Sequence, residues 1–184
     1  MIIRKATVTD SEQIASCLFL AMEDFVYSMI GGKDPKQGKE FLLYFVQTEN
    51  NQYSYQNCWV AEEDKKVVAA ANLYDGAQLH SLRQPVLEHL KRKYRKDFTP
   101  EDETQAGEYY LDSLGVARGQ QGRGIGSYML QFLVDEWVVK QGKTLGLLVD
   151  EENQDAKRLY LKLGFKSAGQ KVFLGKKTEH LQKR

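Results

Sequence analysis

A glycine-rich stretch in the second half of the chain carries the strongest chemical signal. Its four glycines, Gly119, Gly122, Gly124 and Gly126, lie between an apolar segment that predicts a strand (109–116) and a periodic apolar segment that predicts a helix. Because glycine has no Cβ, several backbone N–H groups of such a turn can surround one ligand. The following helix adds unpaired N–H groups and the positive end of its dipole. The stretch therefore predicts a pyrophosphate site, since a plain turn needs only one glycine.

Two common phosphate-binding motifs fit this stretch poorly. A P-loop requires a Lys-Ser/Thr pair after its glycines, and none follows here. A dinucleotide-binding fingerprint requires Gly-x-Gly-x-x-Gly directly after the strand, whereas the segment 122–127 begins well past Val116 and departs from that pattern at its last position. Asp150 stands at a plausible distance for a ribose contact, so a nicotinamide-binding fold remains an alternative, although too few residues follow the loop for its remaining strands.

A third pattern, Gln-x-x-Gly-x-Gly, matches the segment 121–126, which follows Leu114-Gly115-Val116. Together they resemble the acetyl-coenzyme A loop of the GNAT superfamily of N-acetyltransferases. A second segment, 153–165, is similar to the family's Asn-x-x-Ala-x-x-Leu-Tyr-x-x-x-Gly-Phe motif, in the expected order and at the expected distance. The two segments lie in the C-terminal part of the chain, and the N-terminal half matches the family only in its order of elements.

The resemblance implies a fold and a cofactor. The expected fold is α/β (α+β in some schemes), a mixed, twisted central sheet of about six to seven strands flanked by helices, with a helical insertion at 76–107 between strands 3 and 4. The expected co-substrate is acetyl-CoA, with no metal. The residues that the resemblance assigns to coenzyme binding are Leu114, Val116, Gln121, Gly122, Arg123, Gly124, Gly126, Ser127, Asn153 and Lys157.

The same resemblance implies that Tyr160 protonates the departing thiolate. Its phenol, with an ordinary pKa near 10, is protonated at neutral pH, and it lies two helical turns from Asn153, on the same helix face. The alternative is that Tyr160 is a core aromatic residue. The attacking amine must also lose a proton. Asp112, on the strand before the loop, is the first candidate for the base and Glu108 the second, and a chain of water molecules is the remaining alternative.

Composition limits the class of protein. The chain has 184 residues, 42% of them hydrophobic, enough for a single domain over residues 1–184 with a substantial core. A net charge of +1 argues against an obligate nucleic-acid partner. Two cysteines are too few for a disulfide scaffold, the three histidines lack metal-ligand spacing, and no signal peptide or stretch of membrane-spanning length is recognised. These features predict a cytoplasmic protein without a membrane partner.

The remaining elements follow from periodicity and capping residues. The charged residues between 83 and 103 are interpreted as a solvated helix face, compatible with a wall or lid over an acceptor pocket. The predicted elements are a strand at 2–8, a helix capped by Thr9 with Glu12, a helix opened by Asp34-Pro35, a hairpin around 63–65, a helix at 82–98 with a further helical turn at 99–101, a buried strand at 143–150 and a closing hairpin about Gly175.

Three function classes remain open, one of them the nicotinamide-binding fold considered above. The first is an N-acetyltransferase that moves an acetyl group directly from acetyl-CoA to a primary amine. The second is a non-catalytic acyl-CoA-binding regulatory module on the same fold. The acceptor, a small-molecule or peptide amine, is not readable from the sequence, although Glu23, Asp24 and Asp75 are candidates for attracting a cationic amine. The insertion is expected to shape the acceptor site and not the coenzyme site, and a homodimer is possible.

Overall fold

Five helices and seven strands make up the computed structural model, which describes residues 1–184. Short turns of 3₁₀ helix occur at Val8–Asp10, Tyr55–Asn57 and Gly76–Gln78, and a π-helical segment at Asp135–Lys140 continues the fourth helix. The strands are β1 (Ile2–Lys5), β2 (Cys58–Glu63), β3 (Lys66–Asp75), β4 (Tyr109–Val116), β5 (Leu145–Asp150), β6 (Lys166–Phe173) and β7 (Lys176–Lys183), and the helices are α1 (Ser11–Ile30), α2 (Pro35–Gln47), α3 (Leu79–Tyr94), α4 (Ile125–Val134) and α5 (Gln154–Lys162).

All seven strands form one sheet, in the order β1-β2-β3-β4-β5-β7-β6. Every neighbouring pair is antiparallel except β4 and β5, which are parallel and pair only at Tyr109↔Leu145 and Tyr110↔Gly146. Beyond these two pairs the strands separate, and a gap opens toward their carboxyl ends. The predicted mixed α/β architecture is confirmed, with seven strands.

Helices cover both faces of the sheet because the central strands bury residues on both sides. Val60 and Ala70 belong to the core that α1, α2 and α3 form, whereas Ala61 and Ala69, their neighbours along the chain, belong to the core that α4 and α5 form. Alternate residues of a strand point to opposite faces. The near-continuous apolar character of β3 and β5 follows from this two-sided burial.

Helix α1 approaches the sheet most closely at β4. A Cβ at Gly115 would lie 1.9 Å from the carbonyl oxygen of Cys17, so only glycine allows this contact. The helix bends at Met22, whose φ of −136° and ψ of 31° are not helical. By length and composition, Val8–Ile30 is apolar enough to span a membrane, contrary to the expectation of no such stretch, but 44% of its most apolar window is buried inside the fold. A helix in the core of a globular fold can have the same length and apolar composition as a membrane span, so these two properties do not identify Val8–Ile30 as a membrane span.

Several predicted boundaries are wrong. The cap of α1 is not Thr9 with Glu12: a 3₁₀ turn precedes the helix, and the Asp10 carboxylate accepts the backbone N–H of Thr7 at 2.8 Å. The strand predicted at 2–8 ends at Lys5 for this reason. Helix α3 ends at Tyr94 instead of continuing to residue 98, and no helical turn forms at 99–101.

Candidate active site

A cleft of about 870 Å³ fills the gap where β4 and β5 separate. The bend of α1 forms one wall, and the turn between β6 and β7 covers it together with the loop that precedes α5. Its charge is strongly one-sided, because the only cation in the lining is Lys176, whose Nζ lies 3.5 Å from the Asp150 carboxylate. The acidic side chains of the lining are Glu23, Asp24, Glu103, Asp112, Asp150 and Glu152.

Asp112 faces this cleft from an irregularity in β4. In the register with β3, Asn72 pairs with Ser113 and Leu73 with Leu111, so Asp112 is the extra residue of a β-bulge. Its Oδ1 accepts from Gln52 Nε2 at 3.1 Å, whereas its Oδ2 is buried and has no protein partner. Burial, with the nearby charge of Glu103, raises the pKa of Asp112 to about 7. The first base candidate thus lies in the cleft with a perturbed pKa and one oxygen free to take a proton.

Glu108 and Asp75, which the sequence also suggested, do not line the cleft. The Glu108 carboxylate is buried and bonded to Thr104 at 2.7 Å and to His180 and Gln182 at 2.8 Å each. Burial alone would raise the pKa of Glu108, but these hydrogen bonds outweigh it and hold the pKa below its usual value. Asp75 accepts the backbone N–H of Ala77 at 2.9 Å and caps a 3₁₀ turn. Both carboxylates have structural partners.

The glycine-rich loop lies between the end of β4 and the start of α4. Gly119, Gly122 and Gly124 have φ values of 80°, 77° and 78°, and the space where their Cβ atoms would be is open. Gly124 is also the N-cap of α4 and offers no side-chain cap, so the first N–H groups of the helix are free for a ligand. Loop and helix end thus form an open cradle of amides that fits a pyrophosphate. Exposed Ser127 lies in this first turn of α4.

Neighbouring residues hold the loop against β4. Gln121 Nε2 donates to the carbonyl oxygen of Val116 at 3.3 Å. A Cβ at Gly126 would lie 3.4 Å from Leu114 and 3.5 Å from Val116, in ordinary contact. The structure therefore brings together the predicted coenzyme residues of β4, the loop and α4.

Two predicted phosphate ligands already have protein partners. The Arg123 guanidinium binds Glu63 at 2.9 and 3.1 Å, at the turn between β2 and β3, and Gln120 as well. Lys157 Nζ lies 2.5 Å from Glu179 on β7. Either side chain would have to exchange its partner to reach a phosphate, so the structure does not present them as free cations.

Asn153 lies at the start of α5 and Tyr160 lies within it. Asn153 is the N-cap and not a member of the helix: its Oδ1 accepts the N–H of Ala156 at 3.1 Å, and the residue lines the cleft. Tyr160 packs edge-on against Phe165 with ring centroids 5.8 Å apart, and burial raises its pKa. It does not line the cleft, and its hydroxyl makes no hydrogen bond with the protein. A core packing role is visible, and the hydroxyl is left without a protein partner.

The structure adds residues that no motif indicated. Glu103, from the loop after α3, is 3% exposed, pairs with buried Arg83 and bonds to Gln52 and Tyr74. The charged residues of the insertion were interpreted as a solvated face, which is wrong for this pair. Their spacing of twenty residues has no periodic signature, so only the fold brings them together.

The insertion also contacts the closing hairpin. Lys171 on β6 donates to the carbonyl oxygen of Asp102 at 3.1 Å, and Leu174 N donates to the Glu101 carboxylate at 2.9 Å. Phe25 of α1 packs between Phe98 and Phe173, at centroid distances of 6.0 and 5.6 Å. Insertion, hairpin and α1 therefore meet beside the cleft.

Solved structures share this architecture. An acetyltransferase structure is 29% identical, with a TM-score of 0.82 over 100% of this chain and 99% of that one. An N-acetyltransferase from Staphylococcus aureus Mu50 is 21% identical, with a TM-score of 0.84 over all of both chains. The ribosomal-protein-S18-alanine N-acetyltransferase from Escherichia coli is 18% identical, with a TM-score of 0.57 over 98% of this chain and 91% of its own. At these lower identities the likeness concerns the fold. A comparison with curated proteins gives no match.

The family comparison covers most of the chain. Residues 27–165 match the model of the acetyltransferase (GNAT) family, a range that includes the glycine-rich loop, the bulge of β4 and α5. The matched range thus contains both strands that border the gap, β4 and β5. On this match, and on the fold it shares with solved acetyltransferases, the chain belongs to the GNAT acetyltransferase family.

Proposed function

We propose that this protein is an N-acetyltransferase that moves an acetyl group directly from acetyl-CoA to a primary amine. One observation carries the proposal: β4 bears Asp112 in its bulge, facing the cleft, and ends at the open amide cradle of the glycine-rich loop. A single strand therefore joins a site for an anionic donor to a site for a basic acceptor. GNAT proteins use acetyl-CoA, which when bound supplies the thioester carbonyl.

The chain's own groups suit this role. The free N–H groups of the loop and of α4 hold phosphate oxygens without a charged side chain. Past Tyr110, the backbone groups of β4 that point away from β3 have no strand partner, because β5 has diverged. Such N–H groups can bind the thioester oxygen, where negative charge develops. Tyr160 is the proposed donor of the proton that the departing sulfur takes.

The cleft favours a cationic acceptor. Its six carboxyl groups stand against one lysine that is already paired, so the field attracts an ammonium group and repels anions. The ammonium must lose a proton before its nitrogen can attack. Asp112, which lines the cleft, is the proposed acceptor of that proton.

A calorimetric titration of CoA tests the donor site. Gly124→Val would place a branched side chain in the cradle and should weaken CoA binding at least tenfold, about 1.4 kcal/mol. The matched control is Gly142→Val, because Gly142 also has a positive φ of 63° and open space around its missing Cβ but lies outside the loop. Unchanged CoA affinity in a folded Gly124→Val variant, or an equal loss in the control, contradicts the donor site.

The alternative, a non-catalytic acyl-CoA-binding module, is tested separately. Thiol release from acetyl-CoA is measured with a panel of mono-, di- and polyamines, amino acids and basic peptides. We expect turnover with cationic amines and none with neutral or anionic ones. Tight CoA binding without thiol release for any amine would favour the regulatory module.

A further inference from the structure

A buried hydrogen-bonded cluster connects Asp112 to the insertion. Gln52 Nε2 lies 3.1 Å from Asp112 Oδ1 and 2.8 Å from Glu103 Oε1. Tyr74 Oη lies 3.4 Å and 3.1 Å from the same two oxygens. Because one amide nitrogen contacts both carboxylates, their oxygens are within about 6 Å of each other. Two carboxylates that share their hydrogen-bond donors influence each other's ionisation.

The donors of this cluster are too few for all its contacts. Gln52 has two N–H hydrogens and Tyr74 one O–H hydrogen, whereas Gln52 also contacts Tyr74 at 3.0 Å and each of the two contacts both carboxylates. These three hydrogens cannot fill all five contacts at once, and Asp112 Oδ2 has no donor at all. Arg83 pairs with Glu103 on its other oxygen, Oε2, and no cation pairs with Asp112. The charge is thus held on Glu103, and Asp112 is the member that takes up a proton.

We propose that Glu103 is a positioning residue for the reaction: its buried charge, fixed by Arg83, makes Asp112 a stronger base toward the acceptor ammonium. This inference rests on the proposed function, in which Asp112 accepts the proton of the amine. It assigns the insertion a part in the chemistry, in addition to its place beside the acceptor cleft. Glu103 acts only through Asp112.

Other charged groups surround Asp112 and Glu103 and also act on the pKa of Asp112. Arg83 and Lys176 are the cations among them, and Lys176 is engaged by Asp150. Glu103 alone shares donors with Asp112, so its removal changes Asp112 most. The surrounding titratable groups are Glu23 and Asp24 of α1, Tyr53 of the loop before β2, Cys58 of β2, Tyr74 of β3, Arg83 of α3, Tyr110 of β4, Asp150 of β5, Glu152 of the loop after it and Lys176 of β7.

The test follows the Asp112 carboxyl by two independent measurements. The first is an NMR titration of protein with ¹³C-labelled aspartate carboxyls, with the Asp112 signal assigned by its loss in Asp112→Asn. The second is the pH dependence of kcat/KM with a responsive amine. Glu103→Gln should move the Asp112 midpoint to lower pH by about one unit or more, since it removes a like charge. Tyr74→Phe should move it to higher pH, since it removes a donor to the charged form.

Asp102→Asn is the matched control. Asp102 also pairs with Arg83, at 3.3 Å, but it is half exposed and does not touch Asp112, so its midpoint should stay at the wild-type value. An unchanged midpoint in Glu103→Gln, with kcat/KM lowered equally at every pH, shows a purely structural role and overturns the inference. If Glu103→Gln does not fold, Glu103→Asp is measured instead, because its shorter side chain withdraws the charge from the shared donors, and an unmoved midpoint in that variant overturns the inference equally. The expected NMR shifts in a protein that acetylates no amine would refute the proposed function and leave the coupling intact.

Discussion

The contact between α1 and β4 makes a sharp prediction for Gly115→Ala. The added Cβ would lie 1.9 Å from the Cys17 carbonyl oxygen and 2.5 Å from its carbon, and both are backbone atoms. Rotation of a side chain cannot relieve this contact. Helix and strand must therefore separate by about 1.5 Å to restore ordinary packing distances, and the bend of α1 that lines the cleft begins only a few residues farther along.

The expected magnitude follows from the rigidity of both elements. Overpacking of a core typically costs about 1–3 kcal/mol, and a backbone clash belongs at the upper end of that range. For a domain of this size each kcal/mol lowers Tm by about 2–4 °C. We therefore expect Gly115→Ala to melt roughly 6–12 °C below the wild type, by calorimetry at fixed pH and protein concentration.

Gly126→Ala is the matched control, eleven residues away. Its Cβ would find Leu114 and Val116 at 3.4 and 3.5 Å, in ordinary contact. Alanine is better than glycine within a helix by about 0.5–1 kcal/mol, so this variant should melt at or slightly above the wild-type temperature. A Gly115→Ala protein that melts with the wild type would refute the close approach as described.

Three further predictions follow from the site. Tyr160→Phe should lower kcat about 10²- to 10⁴-fold, the usual range for general acid catalysis, with little change in acetyl-CoA affinity. Normal turnover of this variant, measured where the chemical step limits the rate, would show that Tyr160 only packs against Phe165. Asp112 must be ionised to accept a proton, so kcat/KM should rise with pH through about 7. Asp112→Asn should abolish this rise. A rise in kcat/KM that persists in the variant would belong to another group. Arg83→Ala should cost about 3–5 kcal/mol of unfolding free energy, because it leaves the Glu103 carboxylate buried and unpaired; a denaturant titration showing less than 1 kcal/mol, as for an exposed pair, would contradict its burial.

The sequence predicts the half of the site that a continuous segment encodes. The glycine-rich loop, the strand before it and the helix after it follow one another along the chain, so spacing alone brings Leu114, Gly122 and Gly126 together. The bounds of β4 are predicted to the residue. Asp112 is also predicted on the same strand, although the bulge that turns it toward the cleft leaves no mark in the sequence.

The other half depends on contacts between distant segments. Gln52, Tyr74 and Glu103 come from a loop, a strand and an irregular segment, and no periodicity relates them. The irregular segment is held by side chains: Arg83 contacts the carbonyl oxygens of Pro100 and Glu101 as well as Glu103, which explains why the predicted helical turn at 99–101 does not form. The pairing of Arg123 with Glu63 is equally invisible to the motif, which records residue type and not partner.

The place of β7 between β5 and β6 has a consequence for synthesis on the ribosome. The strands β2, β3 and β4 each pair with the strand made just before them, so this part of the sheet can form as the chain emerges. One edge of β5, in contrast, stays unpaired until α5 and β6 have been made and β7 follows them. Pairing across intervening elements is slow because loop closure precedes any gain in contacts. The wall of the cleft that β5 supplies is therefore completed last, only after β7 has docked.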